Sequence, residues 1–353
     1  MKTPVAKLLV IVALLGSGIS HGQTVPGTAI PYTQISTWGV TSPAAAGSNL
    51  LTLGYGNILM SSSLGWGGAI YDYAANGSGS LVNRHDAGRL WQSMVNIIYP
   101  DNVTFVNPTE AGDTYNRGSA VLQASNKTTA PMNVQYTKSA PFGFLGQTNE
   151  ANLGGTSPDN GNVAVQFNGM TIGKQITLAF NGDNNVAQYV AKVYSNASAP
   201  RITGNLPILY LPGNFRQFST YNPASGAWLA QAVLAGQYNV QSQDYGLTSN
   251  CGGIIAENDA RTVGVAIYGC KPGTRNGGAF HLAFSNHSPN GNPDPLADDT
   301  TALISQITYG DNVSMPAGES SLTTYIVVCK STAPALAGVA CVNSMANLYS
   351  QGY

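Results

Sequence analysis

A chain of 353 residues with a 43% apolar content and 41 glycines is long enough to bury a large core and too apolar to be disordered. Its 15 basic and 16 acidic side chains nearly cancel and form no basic run, and only 9% of residues are charged. That excludes the electrostatic footprint that nucleic acids and anionic membranes require.

The elements follow in chain order. Lys2 and Lys7, the apolar stretch Leu8 to Leu15 and the small, polar ending Ser20-His-Gly22 have the order of a secretory signal, with cleavage expected before Gln23. The apolar part is too short to span a bilayer, so no membrane insertion is expected after cleavage. Residues 23–353 then read as one domain. Short alternating or β-branched segments recur along it: 162–167, 175–180, 186–194, 262–268, 279–284 and 322–328. Asn76-Gly77, Asn168-Gly169 and Asn181-Gly182 sit where hairpins would reverse. Helical periodicity is confined to Ala297–Ile307, opened by Asp298 and Asp299, and to the tail Ala335–Tyr349. The pattern predicts an all-β fold, a large antiparallel β-sandwich with few short helices. Stretches 143–162 and 271–296 are expected to be long excursions from the sheets.

Cys251, Cys270, Cys329 and Cys341 all lie in the last third. In an exported chain an even set reads as disulfides. Cys251 with Cys270 and Cys329 with Cys341 close the shortest loops, although three connectivities are formally open, and the second pair would staple the helical tail. No C-x-x-C pair occurs, so zinc is not expected. No EF-hand spacing occurs in the acidic loop Asp294–Asp299, and no metal or cofactor is predicted.

The densest polar constellation is 83–117: Asn83-Arg-His85-Asp86, Arg89, Trp91-Gln92, then Glu110, Asp113 and Tyr115. In so weakly charged a chain this cluster marks a candidate site. His85 can carry a proton near neutral pH, and Asp86, Glu110 and Asp113 are candidate acid/base carboxylates. A lyase would instead use Asn83, Arg89 and Tyr115 to neutralise a uronate and remove its proton. The bland alternative is an Asp86–Arg89 bridge tying a loop to a sheet. Trp66 and Trp91, interspersed with Gly and Asn, suit the apolar faces of sugars, as does Tyr221. Gln92 joins them as a substrate-binding candidate, and so does His281 if its strand lines the same cleft. The G-x-S-x-G match at Gly18–Gly22 falls inside the signal. Six N-x-S/T sequons are what an Asn/Ser/Thr-rich chain produces by chance.

Several segments carry a family resemblance: Leu64-Gly-Trp-Gly-Gly-Ala-Ile70, Leu81-Val-Asn-Arg-His-Asp-Ala-Gly-Arg89 with Gln92, and Asn107-Pro-Thr-Glu-Ala-Gly-Asp113. Leu206-Pro-Ile-Leu-Tyr210 with Arg216 and Thr220-Tyr221, and Ile254-Ile-Ala-Glu-Asn258 before Val263–Tyr268, continue it. Over most of residues 60–270, in patches, the chain resembles secreted bacterial proteins of the galactose-mutarotase-type super-sandwich group. The resemblance implies a carbohydrate ligand on the concave sheet, with a histidine acid (His85 or His281) and a carboxylate base (Glu110 or Glu257). The expected function is binding of an oligo- or polysaccharide in a cleft and cleavage of a glycosidic bond by carboxylate/histidine chemistry, as a hydrolase or a lyase. A non-catalytic glycan-binding or surface protein and a sugar epimerase are the alternatives.

Overall fold

A computed structural model describes residues 49–84, 89–98, 105–106, 108–112, 118–143, 170–196, 199–231, 241–246, 251–270, 278–286, 300–308, 314–315, 317–334 and 336–353. The expected signal segment and the strand expected at 162–167 lie outside these residues.

The described strands begin with β1 (Leu50–Tyr55), β2 (Ile58–Ser63), β3 (Ile70–Ala75), β4 (Gln92–Ile98), β5 (Phe105–Val106), β6 (Pro108–Thr109) and β7 (Ala120–Asn126). They continue through β8 (Val134–Ala140), β9 (Phe142–Gly143), β10 (Met170–Leu178), β11 (Val186–Ser195), β12 (Ala199–Pro212), β13 (Gln217–Asn222) and β14 (Ala227–Gln231). The remainder are β15 (Gln241–Gly246), β16 (Cys251–Glu257), β17 (Val263–Cys270), β18 (Gly278–Asn286), β19 (Thr300–Thr308), β20 (Ser314–Met315) and β21 (Gly318–Lys330), followed by one helix, α1 (Ala337–Ser350).

These strands build two large antiparallel sheets and a small one. The first large sheet runs β14-β13-β16-β17-β21-β11-β10-β8-β7. The second runs β15-β18-β19-β12-β4-β6-β9, with β20 on β12 and β5 on β4. The small sheet β1-β2-β3 is tied to both: the Asn126 amide donates to the Thr52 carbonyl (2.7 Å), and Ile70 bridges to Trp91.

Period-two alternation explains the layering. Ile172 and Ile176 of β10, Val265 and Ile267 of β17, and Ile326 and Val328 of β21 point from the first sheet into one buried cluster. Leu209 and Leu211 of β12 and Ala302 and Ile304 of β19 meet them from the second. The intervening residues of the first sheet, Ala266, Tyr268, Tyr325 and Val327, form a second cluster on its other face, under α1. Strands covered on both faces read as continuous apolar runs rather than alternating ones, as Val263–Tyr268 and Tyr325–Val328 do.

Helix α1 seats Ala337, Cys341, Met345 and Leu348, spaced four, four and three apart, on β16, β17 and β21. Gly253 lets it come close, since a Cβ there would lie 2.4 Å from the Met345 sulfur. The tail helix therefore starts two residues later than the sequence suggests. The other expected helix is corrected: Thr300–Thr308 is a strand, because Ala302 and Ile304 alternate inward between β12 and β18. The expected turn at Asn181-Gly182 joins the antiparallel pair β10–β11, with both residues at positive φ (54° and 82°).

Cys251 is bridged to Cys270 across the β16–β17 pair, with 3.9 Å between their Cα atoms. The second expected bridge is absent from the structure: Cys329 of β21 and Cys341 of α1 are buried thiols.

Candidate functional site

Glu110 follows β6 and turns into the space between the two large sheets. Its partner is Lys174, at an inward position of β10 between Ile172 and Ile176. The Lys174 ammonium contacts Glu110 Oε1 and the Gly68 carbonyl. The Ser93 N–H donates to Glu110 Oε2 (3.0 Å), and the Thr137 hydroxyl donates to Oε1 (3.4 Å). Ser93 also shares a hydrogen bond with the Tyr189 hydroxyl (2.6 Å). Gly67 and Gly68, at φ 62° and 84°, allow this approach: a Cβ on Gly67 would overlap the Glu110 carbonyl, and one on Gly68 would strike Thr137.

The cluster is dry. The side chains of Glu110 and Lys174 are 0% and 1% exposed. Burial lowers the pKa of Lys174, and the neighbouring Glu110 opposes that shift without cancelling it. Burial pushes the Tyr189 hydroxyl well above its ordinary range, and the Glu110 charge adds to this. Glu110 therefore presents no carboxylate to a glycan, and its expected role as an acid/base carboxylate in a cleft is corrected.

The other expected residues divide. Trp66 and Trp91 are core: Trp91 stacks on Tyr73 at 5.0 Å and donates its indole N–H to the Tyr210 carbonyl (2.8 Å). Asn83 and Gln92 are buried, and Gln92 Oε1 accepts from the Ala111 N–H (2.9 Å). None of these four offers a face to ligand. Backbone packs closely on both sides of Trp66, since a Cβ on Gly67 would overlap the Glu110 carbonyl and one on Gly118 the Gly65 carbonyl, so a Gly-flanked tryptophan here marks close packing rather than display. Tyr221 lies in the cluster under α1, on the opposite face of the first sheet from Glu110. Glu257, the other carboxylate expected from the resemblance, is also buried; it takes the Gly338 N–H (2.9 Å) and Arg261 (3.0 Å). Arg89 is half-buried. His85, Asp86, Asp113 and Tyr115 lie outside the described residues.

A different row emerges along the second sheet. The inward positions of β4, β12 and β19 are Val95, Leu209, Leu211, Ala302 and Ile304. In direct register run Asp244 of β15, His281 of β18, Ser305 of β19, Ile208 of β12 and Gln92 of β4. At about 4.8 Å per strand the row extends roughly 19 Å. Its last three members, Ser305, Ile208 and Gln92, are buried. Asp244 and His281 are directly opposed in the β15–β18 register. The Ser305 hydroxyl donates to Asn205 Oδ1 (2.8 Å). Tyr210, two residues beyond Ile208, is partly exposed on the same face, and its carbonyl anchors the Asn83 N–H (2.8 Å). Next in the chain, Arg84 lies over the Tyr71 ring at 5.2 Å.

Two of the expected residues, His281 and Gln92, thus share one sheet face. Asp244 and Ser305 escape sequence reasoning, because only strand register places them beside His281. Among the described residues, no group of three His, Cys, Asp or Glu could hold a metal ion.

No protein-family model matches the chain, and no curated protein matches it. Solved structures do resemble it. An Escherichia coli K12 protein assigned as an aldose 1-epimerase matches 80% of this chain and 99% of its own, with a TM-score of 0.45 and 9% identity. A GH36 α-galactosidase of Geobacillus stearothermophilus covers 84% of this chain and 41% of its own (TM-score 0.41, 11% identity). An α-mannosidase of Enterococcus faecalis V583 covers 85% and 32% (TM-score 0.40, 11% identity). These likenesses, all with TM-scores below 0.5, are ones of outline.

Proposed function

We propose that this is a secreted carbohydrate-active protein that holds an oligo- or polysaccharide against the second large sheet and cleaves a glycosidic bond there by proton transfer. The observation that carries this reading is the row Asp244–His281–Ser305–Ile208–Gln92. Asp244 and His281 are opposed in strand register at one end of it, which supports the reading. His281 is the proton-transfer residue and Asp244 sets its tautomer and charge. Tyr210 supplies an aromatic surface for a sugar's apolar face. With Glu110 enclosed, the two-carboxylate form of hydrolysis has one partner fewer, and the histidine carries more of the chemistry.

The export reading rests on residues 1–22 and predicts a mature chain beginning at Gln23. For the activity, the purified protein is incubated with a panel of polysaccharides while reducing ends and the absorbance of unsaturated uronates are followed. New reducing ends without uronate absorbance identify a hydrolase, and both together identify a lyase. His281→Ala is expected to lower turnover by about a hundredfold or more while binding persists. Binding without turnover by the wild-type protein makes it a glycan-binding protein instead. Accelerated interconversion of monosaccharide anomers, seen by polarimetry, makes it an epimerase.

A further inference from the structure

We infer that Lys174 and Glu110 are the partners of an intramolecular amide bond that ties the two large sheets together. The inference is independent of the glycan reading and rests on the enclosed cluster alone. An amine and a carboxyl group lie in contact, one on β10 of the first sheet and one beyond β6 of the second, with both side chains shut off from solvent.

Two features favour condensation over a permanent ion pair. First, an ion pair in a dry core costs several kcal/mol per ion in lost hydration. Passing one proton from the ammonium to the carboxylate gives a neutral amine and a neutral acid, and burial already favours the neutral amine. Second, the surroundings match the needs of acyl transfer. The Ser93 N–H bonds Oε2, where negative charge develops when the amine attacks Cδ. The Thr137 hydroxyl points at Oε1, the oxygen that leaves. The amine nitrogen and Cδ form a bond and the Cδ–Oε1 bond breaks. Oε1 departs as water, carrying the acid's proton and one proton from the nitrogen. The step balances without oxidant, metal or nucleotide, and the exclusion of bulk water protects the product from hydrolysis.

The test is peptide mapping of the folded wild-type protein after denaturation, reduction and digestion with a protease that cuts after Lys and Arg. An amide-linked Lys174 resists that cut. The expected product is one branched peptide joining the Glu110 and Lys174 segments, lighter by one water than the sum of its two parts. Finding only linear peptides, with normal cleavage after Lys174, overturns the inference. This outcome needs no variant and so does not depend on a mutant folding. Lys174→Arg is expected to yield linear peptides only. Glu110→Gln is expected to restore the same branched species by releasing ammonia, a result that a purely ionic contact cannot produce.

Discussion

Two buried carboxylates, Glu110 and Glu257, serve the fold in different ways. Glu257 sits at the end of β16, where it takes the Gly338 N–H at the start of α1 and the guanidinium of Arg261, four residues on. Its cation is 40% exposed, so water reaches one side of the pair. Glu110 meets Lys174 between the sheets, and neither side chain reaches water. Both acids have a cation, yet only the second pair is sealed. An ion pair's worth depends on what surrounds it, because the same Coulombic attraction is screened at a rim and opposed by desolvation in a core.

The largest expected effect comes from breaking the sealed pair. Lys174→Met removes the buried partner of Glu110 and with it the link between the two sheets, and is expected to cost about 3–5 kcal/mol. The shift of the urea midpoint measures it, and a loss under about 1 kcal/mol would put the two carboxylates on the same footing. Replacing both partners with apolar residues of similar volume is expected to recover most of the loss.

A second effect involves both regions through their tyrosines. Burial raises the hydroxyl pKa of Tyr73 and Tyr189 between the sheets and of Tyr268 under α1. The unfolded chain releases these protons near pH 10 and the native state does not. Stability is therefore complete below about pH 10 and falls as the pH rises further, with each buried phenol contributing a slope of about 1.4 kcal/mol per pH unit until it ionises in the native state. Denaturant midpoints at increasing pH will show a fall beginning near pH 10, with phenol ionisation following the loss of structure. Midpoints that stay level while the phenols titrate would place these rings in contact with water.

The smallest effect belongs to the rim. Arg261→Met removes a cation that is itself 40% exposed and leaves Glu257 its helix contact, so the expected loss is about 1 kcal/mol or less. A loss equal to that of Lys174→Met would mean that enclosure is not what separates the two sites.

Much of the architecture is legible in the sequence. The strand-forming runs Val186–Tyr194 and Leu322–Val328, the Asn181-Gly182 reversal and the spacing of the tail helix all follow local rules. Ala297–Ile307 reads as helix in the sequence because its apolar residues fit either period over so short a span, and for Thr300–Thr308 the neighbouring strands decide it. Glu110 reads as a cleft acid because its partner is 64 residues away. One signal for the pair is present: in Met170-Thr-Ile-Gly-Lys-Gln-Ile-Thr-Leu178 the lysine falls in phase with Ile172 and Ile176, which puts a charge on the inward face. The row through His281 has no such local signature, because register between strands distant in sequence is set by tertiary pairing.

The pairing of β11 with β21 has a kinetic consequence. Every contact in that ladder, from Val186–Val327 to Ser195–Gly318, joins residues more than a third of the chain apart. The β10–β11 hairpin can form from neighbours, but the middle of the first sheet waits for strands that arrive much later in the sequence. High contact order of this kind makes folding slow and leaves long apolar edges uncovered meanwhile. The chain must therefore be kept from its own copies until β21 inserts and α1 closes over the finished face.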